Sequence, residues 1–343
     1  ATITWTGKSA TSSNWSDPAN WDLGRAPING DSLVFPASAQ QLSNDDDIAG
    51  LSVNSITFQG TFAPVPGGYR ISGDDMTIGS GGINDQATGG PTATVGLTNE
   101  IDLNLNLSAA QTWSNSGSPS FPLAIDGNVD NAGFSLTATG NGVIDVGGQI
   151  SGSGGLALNG NGPAAGPTVE LQNADSYTGE TSVGEGTTLI VNGSTVAASG
   201  VYVDGGTLGG TGGTLGGTGT VGGEIKFLAF GLLPNSIPGT LDPGHDANLS
   251  EETGTLSNTG GVDYLPPTVV IGDVSFGVQF AMQLGGTAAN PTNDQLDSAG
   301  TVSLSGTLDL TALAGAGPFN AGQQFVIVQA GAPITSTFDG LPE

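Results

Sequence analysis

One histidine and several clusters of carboxylates are the residues of this chain whose types could carry chemistry. His245 sits in "LDPGHD", and the chain has no second histidine and no cysteine. Ser-His relays and zinc sites therefore lack material, because both need further imidazole, thiolate or oriented acid partners. Carboxylates are plentiful: Asp45, Asp46 and Asp47 in "SNDDDIAG", Asp74 and Asp75 in "SGDDMT", and Asp294 with Asp297. Two facing acids could act as the proton donor and base of a glycosidase. Paired acids at turns are equally what an acidic coil of short strands carries anyway. A lyase acting on an acidic polymer would want a cation beside the substrate carboxylate, and Lys plus Arg total only four. No catalytic residue is expected, and no cofactor is required.

Clustered Asp oxygens in rigid turns do suit a hard cation such as Ca2+. "DGNVDNAG" (Asp126–Gly133) opens like a calcium loop, but its sixth position is Asn131 and its twelfth is Thr137, which cannot chelate. A strand-turn-strand is expected there. Asp45, Asp46 and Asp47 are the first candidates for a bound Ca2+. Trp5, Trp15 and Trp21 stand close together at the start of the sequence. They read either as a platform on which a sugar stacks or as a plug closing the end of a coil.

The elements that must hold these residues are short strands. Gly accounts for 60 of 343 residues, and apolar residues come in twos and threes. "SVNSITF" (Ser52–Phe58) and "NEIDLNLNLS" (Asn99–Ser108) alternate with period two, which is the pattern of half-buried strands. Gly, Asn and Asp close each strand by supplying tight corners. "VEL" (Val169–Leu171) is echoed by "LIV" (Leu189–Val191), "VYV" (Val201–Val203) follows, and "TLGGTG" occurs twice from Thr207. The return from Val169 to Leu189, ~20 residues, is that of a solenoid in which each turn buries the next.

The segment "GGLALNG…VELQNADSYTGETSVGEGTTLIVNGS" resembles the autotransporter-associated β-strand repeat. Gly154, Gly155, Leu156, Tyr177, Thr178, Gly179, Thr181, Val183, Gly186, Thr187 and Val191 match its pattern. "WTGKSATSSNWSDPANWDLGRAPINGDSLVF" and "NDQLDSAGTVSLSGTLDL…GQQFVIVQAG…STFDGLP" are similar to modules that flank such repeats in secreted bacterial proteins. The resemblance implies a β-helical passenger-type protein, displayed or released at a bacterial surface, whose repeat motif is structural rather than catalytic.

The expected fold is all-β: a right-handed parallel β-helix with a C-terminal β unit, the alternative being β-sandwich domains. The expected organisation is a cap module over 1–35, repeats over 36–229, a Pro/Gly-rich boundary over 230–268 and a C-terminal unit over 269–343. A formal charge of −27 excludes nucleic acid as a partner, since phosphate binding runs on Lys and Arg. No apolar run approaches the ~20 residues of a membrane helix, so membrane insertion is not expected. "ATITW" begins directly in strand-like alternation, as an exported chain would after leader removal. The expected role is a non-enzymatic building block of the cell surface that is displayed or self-associates end to end or by edge strands. An adhesin for a glycan or host protein is the alternative, with a polysaccharide-active enzyme behind it.

Overall fold

The computed structural model describes residues 1–62, 67–89, 98–117, 121–160, 165–206, 210–228, 237–245, 253–265, 278–287 and 289–339. Among them there is no α-helix; one short 3-10 turn, Pro18–Asn20, is the only helical element. The chain forms two compact units, Ala1–Ala157 and Leu158–Glu343. Each is a parallel β-helix, built from parallel ladders where a sandwich would need antiparallel ones.

In the first unit the chain visits three faces in rotation, the first and third joined into one sheet through Met76–Gly89. One sheet takes Thr2–Thr4, Ser32–Pro36, Ser52–Phe62, Met76–Gly89, Gln111–Asn115 and Leu136–Gly140 in that order. A second takes Ser43–Asp46, Arg70–Gly73, Asn99–Ile101, Leu123–Ile125 and Val143–Val146. A short third face stacks Leu105–Leu107, Val129–Asp130 and Ile150–Ser151. The second unit repeats the arrangement. Thr168–Leu171 lies under Thr188–Val191, Thr214–Gly217, Thr240–Pro243, Val278–Gly286 and Gly306–Ala312, while Thr181–Val183 begins the neighbouring face. Among the described strands the only antiparallel ladder inside a unit joins Val278–Gly286 to Pro291–Asn293.

The return read from the sequence is one turn of this coil. Val169 pairs with Leu189 and Leu171 with Val191. "VYV" belongs to a different face: Val201 and Val203 pair with Thr181 and Val183, at the same interval along the chain. The next turn is longer, since Leu189 pairs with Leu215. Only the second "TLGGTG" copy, which begins at Thr214, lies wholly in described residues; residues 207–209 of the first do not. Residues 230–236 of the Pro-rich stretch and 340–343 at the end of the chain likewise lie outside them.

"NEIDLNLNLS" is not one strand. It divides into Asn99–Ile101 and Leu105–Leu107, which lie in different sheets, yet Ile101, Leu103, Leu105 and Leu107 are all buried. A solenoid corner turns the backbone around the core, so the period-two inward pointing survives the change of face.

Polar side chains inside the coil staple one turn to the next. Asn115 donates to the carbonyls of Phe121 and Val143 at 3.0 and 2.8 Å and accepts from Gly117 N–H. Asn131, the sixth residue of the calcium-like loop, donates to Gly154 O and accepts from the N–H groups of Gly133 and Gly154. Asn258 does the same in the second unit, donating to Val221 O and Gly223 O. At corners where successive turns nearly touch, only glycine fits: Gly140 has φ +103° and a Cβ there would lie 2.0 Å from Asn115 O.

Candidate functional site

The tryptophans meet at the first turn of the first unit. Trp5 follows directly on the first strand, and the loop carrying Trp15 and Trp21 folds back across it. Trp21 stands edge-on to both others, with ring centroids 5.1 Å from Trp5 and 5.7 Å from Trp15, and Phe35 packs against all three. Each indole N–H is used internally: Trp5 donates to Gln41 O, Trp15 to Asn44 Oδ1 and Trp21 to Trp15 O. All three side chains are buried. A sugar stacks on an exposed ring face, and these faces are covered by one another and by Phe35. The outer edge of the first strand is covered as well: Thr4 N–H donates to the Asp22 carboxylate and Thr4 O accepts from Asp22 N–H.

Asp45, Asp46 and Asp47 lie in and just after the strand Ser43–Asp46, so alternation splits them. Asp46 points inward and is fully buried; its Oδ1 accepts from Ile48 N–H and its Oδ2 has no partner. Burial pushes its carboxyl up to about 7, and the neighbouring Asp74, Asp47 and Asp45 add to the rise. Asp45 faces outward and accepts from Ser72 Oγ. Asp47 is exposed and accepts from Asn14 Nδ2, Ser16 N–H and Ser16 Oγ. Partial burial works against its charge, but those hydrogen bonds outweigh it and hold Asp47 below the ordinary range. The three carboxylates point to different surroundings and do not form one ligand cage.

A different trio does converge. Glu100, Asp102 and Asp126 offer carboxylate oxygens within 4.8 Å of one another, the only such acidic group among the described residues. Ile101 pairs with Ile125, which sets Asp102 beside Asp126 on adjacent turns. The signal lay in the sequence as an outward i, i+2 pair followed by a third acid one turn later. The turn length was not legible without the register. Arg70, one turn earlier, donates to Asp102 and lies 3.5 Å from Glu100. Its guanidinium already stands where a cation would, so the group is an ion-paired hub. Glu100 titrates above its ordinary value because burial and the two Asp neighbours outweigh Arg70.

In the second unit a groove of about 280 Å³ runs across successive turns, with Glu224, Asp263, Thr301, Ser303 and Thr335 on its walls. Glu224 pairs with Lys226 at 2.7 Å, and Lys226 lies 5.7 Å over the Tyr202 ring. His245 lies 3.0 Å from the Asp242 carboxylate, three residues back on the same turn. The motif tyrosine Tyr177 is buried, its hydroxyl 2.7 Å from Thr181 Oγ1, and Thr181 in turn meets Ser199 Oγ. Those residues join consecutive turns.

Comparison with known proteins returns no matching family model, no matching curated protein and no matching solved structure. No helix among the described residues is long and apolar enough to cross a membrane.

Proposed function

We propose that this chain is a non-enzymatic building block of a bacterial cell surface, a passenger-type β-helix that associates with copies of itself. One observation carries this reading: in the last described turn of the second unit, apolar side chains stacked on buried ones are themselves exposed. Met282, Leu296 and Val302 are buried, and each pairs with the residue stacked on it, namely Leu310, Val328 and Ile334. In that final turn Leu310 is 50% exposed and Ile334 47% exposed. Part of the stacked apolar columns is therefore exposed in that turn, while Phe338 covers Phe280 and Asp339 N–H donates to Gly306 O; apolar strand edges of this kind invite pairing.

Such an edge is completed by strand addition, which satisfies the backbone and covers the apolar side chains together. A second copy supplies the matching turn, because its columns have the same spacing and side chains. The first turn of the first unit is less exposed, since the Trp cluster packs over it and Asp22 bonds both backbone groups of Thr4. The contact is thus between two last turns, an isologous pair. The sparse Lys and Arg that exclude nucleic acid also leave few sites for trypsin-like proteases, in keeping with an exposed extracellular location.

Sedimentation velocity of the purified chain tests this. The expected result is a dimer at micromolar concentration and a monomer for the double variant Leu310→Asp/Ile334→Asp with unchanged circular dichroism. A monomeric wild type, or a variant that still pairs, overturns it.

A further inference from the structure

The first unit carries a face without charge. On the sheet that begins with Thr2–Thr4, the outward positions pair in register from strand to strand. One column runs Thr4, Val34, Thr57, Asn84, Ser114, Thr139. The column beside it includes Thr2, Ser32 and Ser55, and resumes at Thr112 and Thr137. Beyond them Pro36 pairs with Gln59, Gln59 with Gln86, and Thr61 with Thr88. Across these strands no Asp, Glu, Lys or Arg points outward. The neighbouring sheet of the same unit is the opposite: Asp45, Arg70, Glu100, Asp102 and Asp126 crowd its outer side. In a chain with 31 acids, the charge has been placed on one face and kept off the other.

We infer that the uncharged face is a lateral contact surface for a second copy of this chain. Three considerations lead to that partner. Two chains of charge −27 repel wherever their carboxylates approach, and this face lets them meet without bringing acids together. The hydroxyls and amides repeat at ~4.8 Å between strands and ~6.6 Å along them, and another copy repeats at the same spacings by identity. Side chains of this kind, Thr, Asn and Gln, interdigitate or share water between facing sheets.

The face spans about 24 Å by 10–17 Å, on the order of 250–400 Å² per copy. A stable pair needs roughly 800 Å² per partner. The lateral contact is therefore weak alone and becomes persistent when copies are already joined, since linkage multiplies weak contacts. It rests on the proposed assembly for its biological weight. An isologous end contact and an isologous side contact together generate an extended array, which neither does alone.

The test uses charge exchange at the two exposed glutamines. Gln59→Lys/Gln86→Lys and Gln59→Asp/Gln86→Asp chains are each studied by sedimentation velocity at low and high NaCl, beside wild type and a Ser43→Asp control on the neighbouring sheet. All are made in the Leu310→Asp/Ile334→Asp background, so that failure of the end contact does not affect the readout. Wild-type faces are expected to self-associate near millimolar concentration, more strongly at high salt as the residual repulsion is screened. Each charged variant alone should stay monomeric, an equimolar mixture of the two should associate at least tenfold more tightly, and the control should match wild type. Absence of association in both wild type and mixture overturns the inference. So does association that the glutamine variants leave unchanged. Binding of the monomer to microcrystalline cellulose, lost in the variants and without self-association, would overturn it too and assign the face to a neutral polysaccharide.

Discussion

Replacing Asp46 with Asn should make this acidic protein more stable at neutral pH and leave it nearly unchanged in acid. Asp46 is fully buried in the first coil turn, with one oxygen bonded to Ile48 N–H and the other unpartnered. Its carboxyl is raised from 3.8 to about 7 in the folded chain, chiefly by burial. Below about pH 4 both folded and unfolded chains hold the proton, and the group costs nothing. Between about pH 4 and 7 the unfolded chain gives up its proton while the folded chain keeps it, so stability falls as pH rises. Above about 7 both chains are ionised, and the penalty has reached its full size. A gap of roughly three pH units corresponds to about 4 kcal/mol. Asn keeps the bond from Ile48 and is neutral throughout, so Asp46→Asn recovers up to about 4 kcal/mol at pH 8 and about zero at pH 4. Urea unfolding followed by the fluorescence of the buried Trp cluster measures this, since Trp15 is bonded to Asn44, which shares a strand with Asp46. A gain of equal size at both pH values would show that the effect is packing rather than charge. No gain at pH 8 would show that burial does not penalise the charged Asp46 carboxylate.

Asp85 and Asp204, each raised to about 6 by burial, act in the same direction. The melting temperature of the wild type should therefore rise as pH is lowered from 8 toward 5, and a flat or falling profile in calorimetry would refute this. Asn131→Ala removes two bonds with Gly154 that join successive turns and a local bond from Gly133 N–H; a loss of about 2–4 kcal/mol is expected, because buried backbone groups are left unpaired, and chemical denaturation reads it. Arg70→Ala leaves Glu100, Asp102 and Asp126 facing one another without a cation. The variant should melt lower than wild type at low salt, recover on adding Ca2+, and show a larger Ca2+ response in thermal melts than wild type does.

Several features of this protein were legible in its residues alone. Alternation of Val, Leu and Ile with polar residues sets the inward and outward faces of each strand, because successive side chains point oppositely. The glycines and asparagines between them mark the corners, and the return from Val169 to Leu189 announced a coil turn. The near-absence of Lys and Arg set the electrostatics before any fold was known. Register was not legible, because turn length varies: the step from Leu189 to Leu215 is longer than the step from Val169 to Leu189. Register alone decides which distant residues become neighbours. It separated Asp45, Asp46 and Asp47, adjacent in sequence, and assembled Arg70, Glu100, Asp102 and Asp126 from successive turns. The fold of one loop over the first turn buried Trp5, Trp15 and Trp21, whose spacing suits a sugar platform as well as a plug. Stacking also gathered the uncharged residues of several strands onto one face. A strand's own sequence dictates which side chains point out, but which of them share a surface depends on how successive turns are stacked.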